Sequence, residues 1–63
     1  SKEGKETYFR LLLQLAKLEE EKGQLKKALE AYKEVLDISP GHEEAEEAYL
    51  RIRLEALPRG GKK

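Results

Sequence analysis

From Gly23 to Pro40 the chain holds one unbroken helical period between two stops, and this run limits what the remainder can fold into. Leu25, Ala28, Leu29, Tyr32, Val35 and Leu36 recur at steps of three, one, three, three and one, the spacing that places side chains on one face of a helix. Lys26, Lys27, Glu30, Lys33, Glu34 and Asp37 occupy the other face and are charged. An apolar stripe of that width must be buried against another element. The sequence says more about what this helix packs on than about what the protein does.

At 63 residues the chain makes one domain at most. A domain this short buries a small share of its surface, and without cysteine it has neither a disulfide framework nor a thiolate metal site to support the core. Stability must come from helix packing, from an oligomer or from neighbouring segments. Lysine plus arginine and aspartate plus glutamate number 13 each, so no overall field favours nucleic acid or an anionic membrane. No apolar run approaches the roughly 18 residues of a membrane span, and the N-terminus has no hydrophobic signal core. The sequence is therefore expected to be soluble and intracellular, cytoplasmic or nuclear. The lack of methionine suggests an excised domain.

In chain order, residues 1–5 are polar and include Gly4, and they are expected to be disordered. A first helix is expected from about Lys5 to Thr7 up to Glu21 or Lys22, with Thr7 as a cap or Glu6 in the first turn. Tyr8, Phe9, Leu11, Leu12, Leu13, Leu15, Ala16 and Leu18 are too many apolar residues for one stripe. A helix apolar over most of its circumference is normally central, so this one is expected to contact both later helices and something outside the chain. Gly23 then permits a helix stop, and the short connection makes helices 1 and 2 an antiparallel hairpin.

Pro40 ends the second helix at Asp37 or Ile38. The third is expected from His42 or Glu43, with Glu43, Glu44, Glu46 and Glu47 favourably placed at its start. Ala45, Ala48, Tyr49, Ile52 and Ala56 form one apolar stripe on it, while Leu50, Leu54 and Leu57 fall on the opposite side. Pro58 stops the helix, and residues 58–63 are expected to be a flexible basic tail. The fold class is all-α, three helices spanning residues 6–57.

These residues resemble one tetratricopeptide repeat, a 34-residue helix-turn-helix unit with large and small side chains at set offsets. Counted from Phe9, the family's first aromatic is Leu12, its leucine Leu15, its small residue Ala16, its second alanine Ala28, its later aromatic Tyr32 and its closing proline Pro40. Gly23 lies between the two helices, as in the family. The sequence departs from the pattern at Leu12 for tryptophan, Ala16 for glycine and Glu19 for tyrosine. The likeness covers residues 9 to 42 and continues into residues 43 to 57 as the first helix of a following unit, with Ala45 as its small residue. Small side chains at Ala16 and Ala28 let helix axes approach, and Tyr32 fills the space beside them. An ordinary up-down-up three-helix bundle would share the hydrophobic pattern, but the offsets favour the repeat.

Catalytic chemistry has little to work with. Nucleophilic catalysis needs a base within reach of the nucleophile and a group that orients the base. His42 is the only histidine, and Ser39 beside it lies in a surface turn, so the pair reads as a turn serine and a helix-start histidine. One histidine among surface carboxylates does not make a preorganised metal site. Gly60 and Gly61 follow the last helix instead of opening one, so they are no phosphate loop. No enzymatic activity, cofactor or metal is expected.

The resemblance implies binding of a protein or peptide, since stacked helical repeats expose an extended surface. Carried over from the family, the inward positions would be Arg10, Leu13, Lys17, Glu20 and Glu21 on the first helix, and Glu44, Glu47, Arg51 and Glu55 on the third. Carboxylates outnumber cations there, so a basic or mixed segment suits the surface better than an acidic one. The plainer alternative is a solvated face held by pairs such as Glu47–Arg51 and Arg51–Glu55, worth tenths of a kcal/mol each. The chain has no asparagine, which excludes the members that clamp chaperone tails with lysine and asparagine.

Leu50, Leu54 and Leu57 make a candidate association edge, where a following helix, flanking repeats or a second copy would pack. Each leucine is worth roughly 1.5–3 kcal/mol when fully buried, and a frayed, partly exposed last turn is the alternative. Two further classes stand beside these: a minimal or designed helical scaffold with no ligand, and weak RNA binding through Arg59, Lys62 and Lys63. Three charges and one Arg-Gly-Gly copy would supply little affinity, so nucleic acid is not expected.

Overall fold

The computed structural model describes residues 2–56, so Ser1, Leu57, the expected stop at Pro58 and the basic tail lie outside it. Three helices follow one another: α1 over Lys2–Glu21, α2 over Leu25–Ile38 and α3 over Glu43–Ala56. The all-α, three-helix arrangement expected from the repeat pattern is what the chain forms.

The turn between α1 and α2 rests on one backbone conformation. Gly23 has φ 77°, and it is the only described residue with positive φ. In that conformation the Gly23 amide donates to the Glu20 carbonyl at 3.0 Å and the Gln24 amide to the Glu19 carbonyl at 2.8 Å. These two bonds form a Schellman cap, which satisfies carbonyls that the end of a helix leaves unpaired. The second turn works differently. Pro40 lacks an amide hydrogen, and the chain reverses through a bond from the His42 amide to the Ser39 carbonyl at 3.1 Å.

His42 then starts α3. Its Nδ1 accepts the Ala45 amide at 3.1 Å, so an imidazole does the capping that serine, threonine or aspartate usually does. The ring is also held from the side, with Phe9 edge-on at a centroid distance of 5.2 Å. The expected helix-start histidine therefore ties α3 to α1 as well as capping a helix.

Buried residues come from all three helices: Leu12 and Ala16 on α1, Ala28, Ala31, Tyr32 and Val35 on α2, and Ala45, Ala48 and Ile52 on α3. Most of these are alanine, which allows close approach of the axes, and Tyr32, Val35 and Ile52 fill the space that remains. Phe9, Leu13, Leu25, Leu29, Leu36 and Tyr49 pack around this centre half-buried. Ala31 was not on the expected stripe of α2, and Ala56, expected on that of α3, is exposed.

Two expectations need correction. The first helix begins at Lys2, not between Lys5 and Thr7, so residues 2–5 are helical and neither Thr7 nor Glu6 marks the start. Extending a formed helix gains one hydrogen bond per residue fixed, and this tolerates Gly4 at a cost of about 0.5–1 kcal/mol. The second correction concerns the centre of the fold. It is α2 that packs on both neighbours, while α1 meets α3 much less. Only Leu12 and Ala16 of α1 are buried, and Tyr8, Leu11, Leu15 and Leu18 are each about half exposed. The excess of apolar residues on α1 reflects an outer face that no other described residue buries.

Candidate functional site

Of the nine residues expected to face inward, the fold brings five together. Lys17 on α1 and Glu44 on α3 pair at 2.7 Å. Glu20 on α1 accepts a hydrogen bond from Arg51 on α3 through Nη1, and Arg51 Nε donates to Glu47 at 3.2 Å. The Tyr32 hydroxyl from α2 donates to the second Glu20 oxygen at 3.2 Å, so all three helices meet at one carboxylate. The expected Glu47–Arg51 pair forms, but no Arg51–Glu55 pair accompanies it among the described residues. Arg51 reaches across to Glu20 instead, because a half-buried carboxylate beside a buried phenol is less screened by water than an exposed one on its own helix.

The electrostatics follow this arrangement. The Arg51 hydrogen bond holds the Glu20 carboxyl below the usual carboxylate range, and the contact with Tyr32 adds to the effect. Burial, then the nearby Glu20 charge, pushes the Tyr32 phenol up to about 12. Glu20 in turn raises Arg51, which is charged at any working pH. This cluster joins helices and leaves few unsatisfied charges for a ligand.

Arg10 and Leu13 belong elsewhere. With Lys5, Glu6, Phe9, Ile38 and Ser39 they line an open cleft of about 640 Å³ between the start of α1 and the end of α2. Glu21 and Glu55 are exposed and enter none of these contacts.

At the candidate edge, Leu50 is 60% exposed and Leu54 67%, while Ile52 between them is fully buried. Leu57 is outside the described residues. Arg53 stands beside the leucines with its guanidinium 5.8 Å from the Tyr49 ring centre, and no ion pair engages it among the described residues.

The outer face of α1 is a surface that the residue pattern alone did not single out. Tyr8, Leu11, Leu15 and Leu18 recur at steps of three, four and three, a period that could have marked them as a stripe of their own. A groove of about 300 Å³ lies where this face meets α2, lined by Leu12, Leu15 and Ala31 with Glu19, Lys27, Glu30 and Glu34. The Tyr8 hydroxyl donates to Glu34 at one end. At the other, Glu19 and Lys22 are 3.9 Å apart, and Glu19 Oε1 is buried with no hydrogen-bond partner among the described residues.

Among the described residues no group of three or more histidine, aspartate or glutamate side chains could hold a metal ion. No described helix is long and apolar enough to cross a membrane. The sequence profile described as tetratricopeptide repeat matches residues 9–52, and the match begins at Phe9, from which the repeat was counted. Neither a curated protein nor a solved structure gives a match.

Proposed function

Because the chain belongs to the tetratricopeptide repeat family, a non-catalytic family of protein-binding scaffolds, we propose that it is an interaction module that associates through the outer edge of α3. The observation that carries this reading is the contrast along one helix: Ile52 is fully buried while Leu50 and Leu54 stand in water on the other side. An exposed leucine by itself is ordinary, but two one turn apart on a short helix form a ridge of the kind a neighbouring helix packs against. A single repeat also leaves apolar faces that repeat proteins bury by stacking.

The test is the mass in solution of the parent and of a Leu50→Glu, Leu54→Glu variant. The parent is expected to grow in mass above that of the 7.2 kDa monomer as concentration rises, and the variant to remain monomeric. A parent that stays monomeric at high concentration with α3 fully helical overturns the proposal.

A second reading places a peptide of basic or mixed charge on the inward surface of Arg10, Leu13, Lys17, Glu20, Glu21, Glu44, Glu47, Arg51 and Glu55. The cleft beside Arg10 and Leu13 favours it, because Phe9 and Ile38 add apolar walls there. The mutual pairing of Lys17, Glu20, Glu44, Glu47 and Arg51 weighs against the rest of that surface.

A further inference from the structure

We propose that the groove between the outer face of α1 and α2 receives α3 of a second copy, head to tail, with Leu50 and Leu54 on the Leu11–Leu15 stripe. The inference rests on the reading of α3 as an association edge and names what that edge docks on.

Among the described residues, two exposed apolar stripes lie on different helices. One is Tyr8, Leu11, Leu15 and Leu18 on α1; the other is Leu50 and Leu54 on α3. Their charged surroundings are complementary in one orientation. The groove wall contributed by α2 carries Lys27 near the Gly23 turn, Glu30 one turn on, and Glu34 near the far end, two helical turns from Lys27 on the same face. On α3, Glu46 and Arg53 are also two turns apart, and the helical period places both along one side of the leucines, with Glu43 in line ahead of them and Glu47 on the other side. Two turns span about 10.8 Å on either helix, so an incoming α3 parallel to α2 sets Glu46 against Lys27 and Arg53 against Glu34 together. Reversing α3 would put carboxylate against carboxylate and cation against cation. Lys27, Glu46 and Arg53 have no ion-pair partner among the described residues, and Glu34, whose Oε2 accepts the Tyr8 hydroxyl, has its other oxygen for Arg53.

The contact is heterologous, using a different surface on each copy, and each end stays open for another molecule. It differs in this from a symmetric α3–α3 dimer, which would leave the α1 groove unused. Leu15→Glu damages only the groove and Leu54→Glu only the ridge, and both positions are solvent-exposed, so helicity by circular dichroism should match the parent.

Sedimentation is expected to show the parent growing past a dimer, and each variant alone weakened at least about tenfold, the effect of facing a carboxylate with an apolar surface. Mixing the two variants should produce a one-to-one heterodimer that grows no further, since one intact groove and one intact ridge remain. If Leu15→Glu assembles like the parent, α3 pairs with α3; the groove proposal fails while the association edge stands. If both variants are helical and their mixture stays monomeric, the head-to-tail contact is wrong. A monomeric parent removes the edge and the groove together. The orientation has its own test: Lys27→Glu should weaken assembly and adding Glu46→Lys should restore it, and failure of that rescue overturns the parallel alignment.

Discussion

Replacing Tyr32 by phenylalanine should make the protein less stable at neutral pH and more stable in strong base. Tyr32 is 1% exposed, and its hydroxyl donates to the Glu20 carboxylate at 3.2 Å. Removing one such bond costs about 1 kcal/mol, with more possible because the acceptor is charged. The sign changes with ionisation. Burial and Glu20 raise the folded-state phenol to about 12 against an ordinary 10. The stability belonging to a raised pKa is complete below the unfolded value and is lost as pH climbs toward the folded one. Integrated over that interval the loss is about 1.4 kcal/mol by pH 11 and about 2.3 kcal/mol by pH 12, from 1.36 kcal/mol per unit. The parent's advantage over Tyr32→Phe should therefore vanish near pH 11 and reverse above it. Urea unfolding of both proteins by circular dichroism between pH 7 and 11.5 measures this, because the lysines titrate in both and cancel in the difference. A gap that stays constant over the whole range would refute the argument, and would mean that the phenol is hydrated or remote from Glu20.

Other substitutions probe the turns and the core. Gly23→Ala should cost about 1 kcal/mol because φ is 77° there, whereas Gly41→Ala, with no positive φ and open space around the added methyl, should be neutral or stabilising by up to about 1 kcal/mol; urea midpoints separate them. His42→Ala removes the acceptor for the Ala45 amide and should cost about 0.5–2 kcal/mol, most of which His42→Asn should return in the same assay if capping is the cause. Ile52→Ala opens a cavity at a fully buried site and should cost about 2–5 kcal/mol, enough in so small a domain to lower the thermal midpoint sharply or leave α3 undocked, while Leu54→Ala should barely change the monomer.

The bounds of α2, the start of α3, the stop at Gly23 and the reversal after Ser39 could all be read from residue types, because helical period, proline geometry and glycine's access to positive φ are local properties. The inward surface was half legible. Glu47–Arg51 follows from a spacing of four along one helix, but the partner that Arg51 prefers, Glu20, is on α1 and depends on how α1 and α3 lie on α2. The same limit explains the reversed expectation about the centre. Counting apolar residues shows that α1 has more than one greasy side, yet which side is covered depends on the neighbours present. Only packing reveals that α2 lies between the other two, that Phe9 supports the histidine cap, and that Tyr8, Leu11, Leu15 and Leu18 remain outside. Periodicity describes what each helix offers; burial is a relation between helices, and it exists only after they meet.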